Sequence, residues 1–337
     1  MHRRTLITAA LALAAAGCTS APPTPSPSPS ATPTGPRPRA TIGLSYIPNV
    51  QFAPFYVGQD ARLFDTVNAT VSLRHHGATE GLFNALVSGA EDFLVAAGCE
   101  AMQARAEGVD VIAVGAYYKA FPVSVIVLGD SPISALADLK GRSLGVPGKF
   151  GETWLAVQVA LKSAGLTERD VKIVEVGFTQ VAALTTKKVD AVVGFSTNEF
   201  LQLQAAAANP RSMPVASGVV PLVSTCLLTS QAYAEANPEV VKQVVAAVTS
   251  SIETTAADPA KAVTVAATQI PGWTEANRAN AEVVLAASVG LMGVNQGVFD
   301  PALDAPQWQS MADFLGSNEL ISKPVAASDA YTNAYVA

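Results

Sequence analysis

The stretch "ATIGLSYIPNVQFAPFYVGQDARLF", residues 40–64, passes from a strand-like run directly into a segment dense in aromatic rings. Its first eight residues are mostly apolar or β-branched, which is typical of a β-strand. Pro48 and Pro54 interrupt the ring-rich part that follows. The stretch therefore predicts the first strand of a folded unit, and its five aromatic residues need a separate explanation.

Downstream of this stretch, short apolar runs alternate with helix-like segments. The runs "ATVSLRHH", "DFLVAAG" and "DVIAVGAYY" read as strands, and "TEGLFNALVSGA" reads as a helix with apolar residues spaced by four. Strands that alternate with helices are typical of a mostly parallel sheet covered by helices. The fold class predicted is therefore α/β.

A second unit begins at "FPVSVIVLGDSPISALADLKGRSLGVPGKFGETW", with two strands and a helix closed by Gly165. The run "PLVSTCLLTSQAY" predicts a strand that returns to the first unit, and the remainder is helical, with Asn237-Pro238 and Asp258-Pro259 as helix starts. We predict lobe one at residues 40–125 and 224–337 and lobe two at residues 126–223. Two crossings between two lobes make a hinge with a cleft.

The N-terminus reads as a targeting segment and is excluded from the fold. Residues 1–18 combine a basic start, a short apolar run and "AAGC", which resembles a bacterial lipoprotein signal with Cys18 as the lipidated residue. An ordinary secretory signal cut nearby is the alternative. Residues 19–39 are rich in Pro, Ser and Thr and predict a disordered tether.

The composition argues against some functions and leaves others open. The net charge of −6 and the lack of a basic stripe argue against nucleic-acid binding. No run after the leader approaches the ~20 apolar residues of a membrane span. Cys99 and Cys226 could form a disulfide in an extracytoplasmic compartment or remain two buried thiols, and the sequence leaves both open.

Several motifs in order resemble the thiamine-pyrimidine-precursor family of solute-binding proteins and its enzyme relatives. They are the aromatic and proline segment at residues 46–56, "LVSGAEDFLVA", "ISALADLKGRSLGVPGKFGETW", "GFTQVAALTTKKVDAVVGFSTNE" and the tail "AYTNAYVA". The resemblance covers nearly all of residues 40–337. It implies the type II periplasmic binding protein fold, with a cleft that closes on its ligand between two lobes.

In that fold the first strand ends at the cleft, which answers the question of the rings. The aromatic faces would suit a flat heteroaromatic solute, because ring stacking adds about 0.5–1.5 kcal/mol beyond burial. Phe55 and Phe64 are expected in the core. The candidate ligand-binding residues from this stretch are Tyr46, Asn49, Phe52 and Tyr56.

Other candidates follow later strands. The loop "VPGKFGETW" opens a helix, and its glycines let the backbone approach a ligand, although it lacks the ending of a phosphate-binding loop. Carboxylates that end a strand in each lobe could accept hydrogen bonds from ring amino groups, and one of the adjacent residues Tyr117 and Tyr118 should point into the cleft. These candidates are Glu100, Tyr118, Phe150, Gly151, Glu152, Thr153, Phe178, Gln180, Asn198 and Glu199.

Enzyme chemistry is disfavoured. In the enzyme relatives a lysine holds pyridoxal phosphate and a histidine acts beside it, and these positions correspond here to Ala96 and Glu100. A Schiff base needs an amine, so no such cofactor is expected. His75 and His76 are adjacent on a strand and face opposite sides, which is poor geometry for a metal pair.

The resemblance therefore predicts an extracytoplasmic, lipid-anchored and monomeric solute-binding protein that works with an ABC permease and ATPase. A thiamine pyrimidine precursor is the first ligand candidate, and riboflavin is the main alternative. Sulfonate or nitrate binding would need cations, for which the candidate segments offer only Arg74, Lys119 and Lys149. A sensor or adhesion lipoprotein without transport stays open.

Overall fold

The structure, a computed structural model, describes residues 37–77, 80–216 and 220–336. The predicted signal at residues 1–18, its Cys18 and the tether up to residue 36 lie outside the described residues. Arg39, predicted as the last tether residue, is already the first residue of a strand.

Ten strands occur in the described ranges: β1 (Arg39–Leu44), β2 (Thr70–His75), β3 (Phe93–Ala97), β4 (Ile112–Ala116), β5 (Val123–Val127), β6 (Ser143–Val146), β7 (Lys172–Glu175), β8 (Ala191–Phe195), β9 (Arg211–Pro214) and β10 (Thr225–Thr229). The first eight α-helices are α1 (Ala53–Asp60), α2 (Asn84–Ser88), α3 (Gly98–Ala106), α4 (Gly151–Ser163), α5 (Gln180–Thr185), α6 (Glu199–Ala205), α7 (Gln231–Ala236) and α8 (Pro238–Ala257). They are followed by α9 (Pro259–Ala267), α10 (Arg278–Met292), α11 (Ala305–Ser317) and α12 (Ala327–Ala330).

The strands form two five-stranded sheets, ordered β2-β1-β3-β10-β4 and β7-β6-β8-β5-β9. In the first sheet β1 runs parallel to β2 and β3, and in the second β6 runs parallel to β7 and β8. Each sheet has one strand, β10 or β5, that is antiparallel to both of its neighbours. The predicted α/β class with two sheets is confirmed.

The antiparallel strands are those that enter a sheet after the chain leaves the other one. β5 follows β4 of the first sheet, and β10 follows β9 of the second. The predicted lobe boundary after residue 125 falls inside β5, all of which lies in the second sheet. We therefore propose that the crossings lie between β4 and β5 and between β9 and β10.

Burial explains why the central strands read as continuous apolar runs. All residues of β3, β4 and β5 are buried, because helices cover the sheets. Phe55 and Phe64, predicted as core, are buried, and Phe55 lies in α1, which packs against α8 and α9. None of the helices in the described ranges is both long enough and apolar enough to cross a bilayer.

The two predicted helix starts differ in the structure. Asp258 caps α9, with its Oδ1 accepting the N–H of Lys261 at 3.0 Å. Asn237 precedes α8 but makes no side-chain capping bond; its Nδ2 instead donates to the carbonyl of Tyr233. The preceding helix α7 ends at Ala236, so Asn237 serves that helix end instead.

We expect Asp258→Ala to lower the free energy of unfolding by about 1 kcal/mol, because it removes the capping bond of α9. The measurement is urea unfolding followed by circular dichroism. Asp313→Ala, which removes an exposed helix carboxylate that caps nothing, is the control and should change stability by less than half as much. Equal effects of both substitutions would contradict the capping role.

Candidate functional site

A cleft of about 550 Å³ lies between the two sheets. Its walls are formed by segments that follow the carboxyl ends of strands in both sheets, where ligands bind in open α/β folds. The volume is within the range of about 300–1,000 Å³ that holds small organic ligands. A second concavity of about 420 Å³, beside Leu128 and Asn209, lies away from these strand ends and has no aromatic lining residue.

Twelve of the fourteen predicted ligand-binding residues line the cleft. They are Tyr46, Phe52, Glu100 and Tyr118 from the first-sheet side, and Phe150, Gly151, Glu152, Thr153, Phe178, Gln180, Asn198 and Glu199 from the second-sheet side. The structure thus brings together residues that are far apart in the chain, and their role in binding stays a prediction.

Two predicted residues do not reach the cleft. Asn49 accepts the N–H of Gln51 at 3.1 Å and so caps a short 3-10 turn. Tyr56 is only 2% exposed, and its hydroxyl lies 3.0 Å from Nε2 of His75. Tyr56 lies in α1, and its ring packs beside that of His75 at the end of β2, with centroids 5.8 Å apart.

Aromatic rings face the cleft from both sides. The rings of Tyr46 and Phe178 meet edge to face across it, with centroids 4.9 Å apart. Phe150 is 53% exposed, so its ring stands at the mouth. The aromatic lining residues in the described ranges are Tyr46, Phe52, Tyr117, Tyr118, Phe150, Phe178 and Phe195.

Tyr117 and Tyr118 both line the cleft, although one of the two was expected to point away. The expectation assumed strand alternation, but β4 ends at Ala116. The N–H groups of both tyrosines donate to the carbonyl of Thr225 at 2.9 Å, so the chain has left extended geometry. Tyr117 also donates its hydroxyl to the carbonyl of Gln51 at 2.8 Å.

Other lining residues were missed by the sequence analysis. Most adjoin predicted ones, and the loop after β2 would have been found by applying the strand-end rule to that strand as well. The missed residues are Ser45, Ile47, Gln51, His76, Gly77, Glu80, Gly81, Leu82, Ala96, Ala97, Tyr117, Pro147, Phe195 and Thr225.

Among the described residues, the cleft lining contains four glutamates and no lysine or arginine. Arg74 is held by Glu80 and Glu91, and Lys149 pairs with Glu168 at 2.7 Å and lies over the ring of Trp154. The third predicted cation, Lys119, donates to the carbonyl of Ala302. None of these three cations lines the cleft.

Glu199 begins α6 at the second-sheet edge of the cleft. Its Oε2 accepts the N–H of Phe195 at 2.7 Å, and its Oε1 accepts Nδ2 of Asn198 at 2.7 Å. Burial raises the pKa of Glu199, and these donors oppose the rise. The carboxyl group is therefore fixed in orientation by its own segment.

Glu100 and Glu152 come from opposite sides of the cleft. Glu100 is 8% exposed, and its Oε2 accepts the N–H of Ala97 at 3.1 Å. Oε1 of Glu152 is buried and has no hydrogen-bond partner among the described residues. Burial raises the pKa of both groups, and the charge of Glu100 raises the pKa of Glu152 further.

A buried ionic network supports the wall after β2. The fully buried carboxylate of Glu91 accepts a hydrogen bond from Nη1 of Arg74 at 2.6 Å. Its Oε1 and Oε2 atoms lie 2.9 and 3.0 Å from Nε2 of His76. Gly43 in β1 leaves room for this carboxylate, because a Cβ there would overlap it. Arg74 also binds both carboxylate oxygens of Glu80, a lining residue.

Cys99 and Cys226 are both free and buried, so of the two states left open the structure has the buried thiols. Burial raises the pKa of each thiol, which leaves them unreactive. Within the described ranges, no three His, Cys, Asp or Glu side chains are grouped to hold a metal ion.

The chain is similar in sequence to several known proteins. The sequence profile of the family described as NMT1/THI5 like matches residues 49–262. The riboflavin-binding protein RibY of Chloroflexus aurantiacus is 30% identical over 88% of this chain and 86% of its own length. The formylaminopyrimidine-binding protein of Halalkalibacterium halodurans is 25% identical over 86% of this chain and 88% of its own.

Among solved structures, the alkanesulfonate-binding protein SsuA of Xanthomonas axonopodis pv. citri has the same fold, with a TM-score of 0.67. The match covers 89% of this chain and 99% of that one, at 21% identity. Some matched relatives are instead named 4-amino-5-hydroxymethyl-2-methylpyrimidine phosphate synthase, and these matches cover about half to two thirds of this chain.

Proposed function

The chain belongs to the NMT1/THI5 like family, and from this premise we propose that it is the solute-binding component of an ABC importer. The observation that carries the proposal is the interlobe cleft, with aromatic rings on both walls and, in the part of the chain that the structure describes, four carboxyl side chains and no lysine or arginine in its lining. Such a lining suits an uncharged, planar heteroaromatic solute that offers hydrogen-bond donors.

Riboflavin is the ligand that we propose first. The riboflavin-binding relative has the higher sequence identity of the two binding proteins compared, over a similar share of the chain. Three fused rings and a ribityl chain would use more of the 550 Å³ cleft than a single pyrimidine ring, which would leave room for many waters. The uncharged flavin also needs no cation from the protein.

A thiamine pyrimidine precursor, first in the sequence analysis, is the second candidate. The observation in its favour is the set of carboxyl groups at the cleft edges, Glu100, Glu152 and Glu199, which could accept hydrogen bonds from ring amino groups. Sulfonate, nitrate and phosphorylated solutes are disfavoured, because an anion among four glutamates would have no cation in the lining to offset its desolvation.

Catalysis on a lysine-bound pyridoxal phosphate is also disfavoured. Ala96 lines the cleft at the position that corresponds to the lysine of the enzyme relatives. The aldehyde of the cofactor would have no amine in the lining with which to form a Schiff base. We propose a binding protein rather than a synthase, monomeric, outside the cell and anchored through Cys18 beside a permease and an ATPase.

Thermal unfolding of the purified protein with individual solutes tests the proposal. A true ligand at about 100 times its dissociation constant should add about 2.7 kcal/mol to the free energy of unfolding. We expect this stabilisation with riboflavin, together with quenching of flavin fluorescence by the aromatic walls. Riboflavin 5′-phosphate is the matched control, since it adds only a charged group and should stabilise much less.

Two other results would change the proposed ligand. Stabilisation by formylaminopyrimidine alone would replace riboflavin by the second candidate within the same function. Stabilisation only by taurine or nitrate would contradict the proposed ligand class, because those anions require cations that the lining lacks.

A further inference from the structure

Two helix starts face each other across the cleft. α3 follows β3 of the first sheet and carries Glu100 in its first turn, and α4 follows β6 of the second sheet and begins Gly151-Glu152. The start of α4 lies close to the carboxyl group of Glu100: a Cβ placed on Gly151 would lie 3.5 Å from its Oε1 atom. Both glutamates line the cleft, so the two lobes meet at a pair of carboxyl groups.

The two carboxyl groups have unequal surroundings. Oε2 of Glu100 accepts the N–H of Ala97, in its own lobe, at 3.1 Å. Hydrogen bonds from N–H donors stabilise the ionised form of a carboxyl group. The Oε1 atom of Glu152 is buried with no partner among the described residues, so nothing comparable stabilises a charge there.

No cation offsets a double negative charge at this point. Three further titratable groups are near enough to interact electrostatically with the pair, Cys99 of α3, Cys226 of β10 and Tyr118 after β4, and burial raises the pKa of all three, so they are neutral near pH 7. The positive charge of Lys119 lowers the pKa of Cys226, but Lys119 does not line the cleft. The other titratable lining residues are Tyr46, His76, Glu80, Tyr117 and Glu199.

We propose that Glu100 and Glu152 share a single proton, carried by Glu152, and together form the element that selects the ligand. The ionised Glu100 accepts a hydrogen bond, and the protonated Glu152 can donate one. The pair therefore recognises a ring edge with an N–H beside a carbonyl or ring nitrogen, which both candidate ligands possess. This inference rests on the proposed function, because it assigns specificity within the same cleft.

The proposal predicts that the affinity for riboflavin depends on pH. Loss of the shared proton leaves two carboxylates facing each other from opposite lobes, which removes the donor and repels the closed lobes. The dissociation constant for riboflavin should therefore rise with pH, by up to about tenfold per pH unit once the pH exceeds the pKa of the proton that is bound with the ligand. Binding of riboflavin measured by fluorescence quenching between pH 6 and pH 8 gives the wild-type profile.

Glu152→Gln separates this role from a merely structural one, because the amide has the shape and neutrality of the protonated acid. We expect E152Q to lose most of the pH dependence of riboflavin binding, whatever its dissociation constant at pH 6. Glu100→Gln is the matched control, and it should weaken binding at every pH, since its amide cannot accept all of the hydrogen bonds that the carboxylate accepts. An unchanged pH profile in E152Q, or a flat profile in the wild type, would overturn the inference.

A measurement of stability without ligand tests this inference independently of the proposed function. A carboxyl group whose pKa is raised by folding stabilises the protein fully below its unfolded pKa, near 4.5, and that stability is lost as the pH rises through the folded pKa. Urea unfolding without ligand should find E152Q similar to the wild type at pH 5 and more stable at pH 8. Failure of every solute to bind would reject the function alone, whereas equal midpoints at pH 8 would reject the shared proton.

Discussion

Glu91→Ala is expected to lower the free energy of unfolding by about 3 kcal/mol, which is the cost of breaking a buried ion pair from one side. The side chain of Glu91 is fully buried, and its removal leaves Arg74 and His76 without their common acceptor. We take the lower end of the usual range because Arg74 is partly exposed and can turn toward water. Urea unfolding of the two proteins, followed by circular dichroism, measures the difference.

Glu80→Ala is the matched control, since it removes the other carboxylate that binds the same Arg74. Glu80 is partly exposed, and a pair of this kind contributes at most about 1 kcal/mol. A smaller loss for Glu91→Ala than for Glu80→Ala would contradict the role of Glu91 as the centre of the network.

The double substitution Tyr46→Ala/Phe178→Ala is expected to weaken binding of the solute on the order of 100-fold, or about 3 kcal/mol. These rings meet across the cleft with centroids 4.9 Å apart, one from each side, so the double substitution removes aromatic surface from both walls. Titration calorimetry with riboflavin, and with formylaminopyrimidine if riboflavin does not bind, measures the change.

Tyr46→Phe is the control for this pair, because it keeps the ring and removes only the hydroxyl. We expect its dissociation constant to stay within about threefold of the wild type. Urea unfolding of the double variant should show that the fold is retained. A double variant that is folded and binds as tightly as the wild type would exclude these rings from the binding wall.

Local patterns were sufficient to predict most of the fold and much of the candidate site. Residues 40–47 read as a strand and "VPGKFGETW" as a loop that opens a helix, and both predictions agree with β1 and the start of α4. Since ligands bind beyond the carboxyl ends of strands, a correct order of strands already points to the segments around the cleft. The same rule applied to β2 would have added His76.

The errors arose where orientation depends on packing. Tyr56 belongs to the predicted aromatic wall, but its ring is buried beside His75 of β2. Tyr117 was placed by strand alternation, which ends one residue earlier at Ala116. The lobe boundary was placed two residues after the start of β5, because an apolar run alone does not say which sheet its strand will join.

The sequence by itself determined the α/β class, the positions of most strands along the chain and the aromatic segment that follows the first of them, because periodicity and turn residues act over a few neighbours. Only the tertiary structure decided which side chains meet. Glu100 and Glu152 are separated by a crossing between the two sheets, and their shared environment exists only where α3 and α4 approach. Their protonation depends on how deeply they are buried and on the distance between them, and the neighbouring residues in the sequence determine neither.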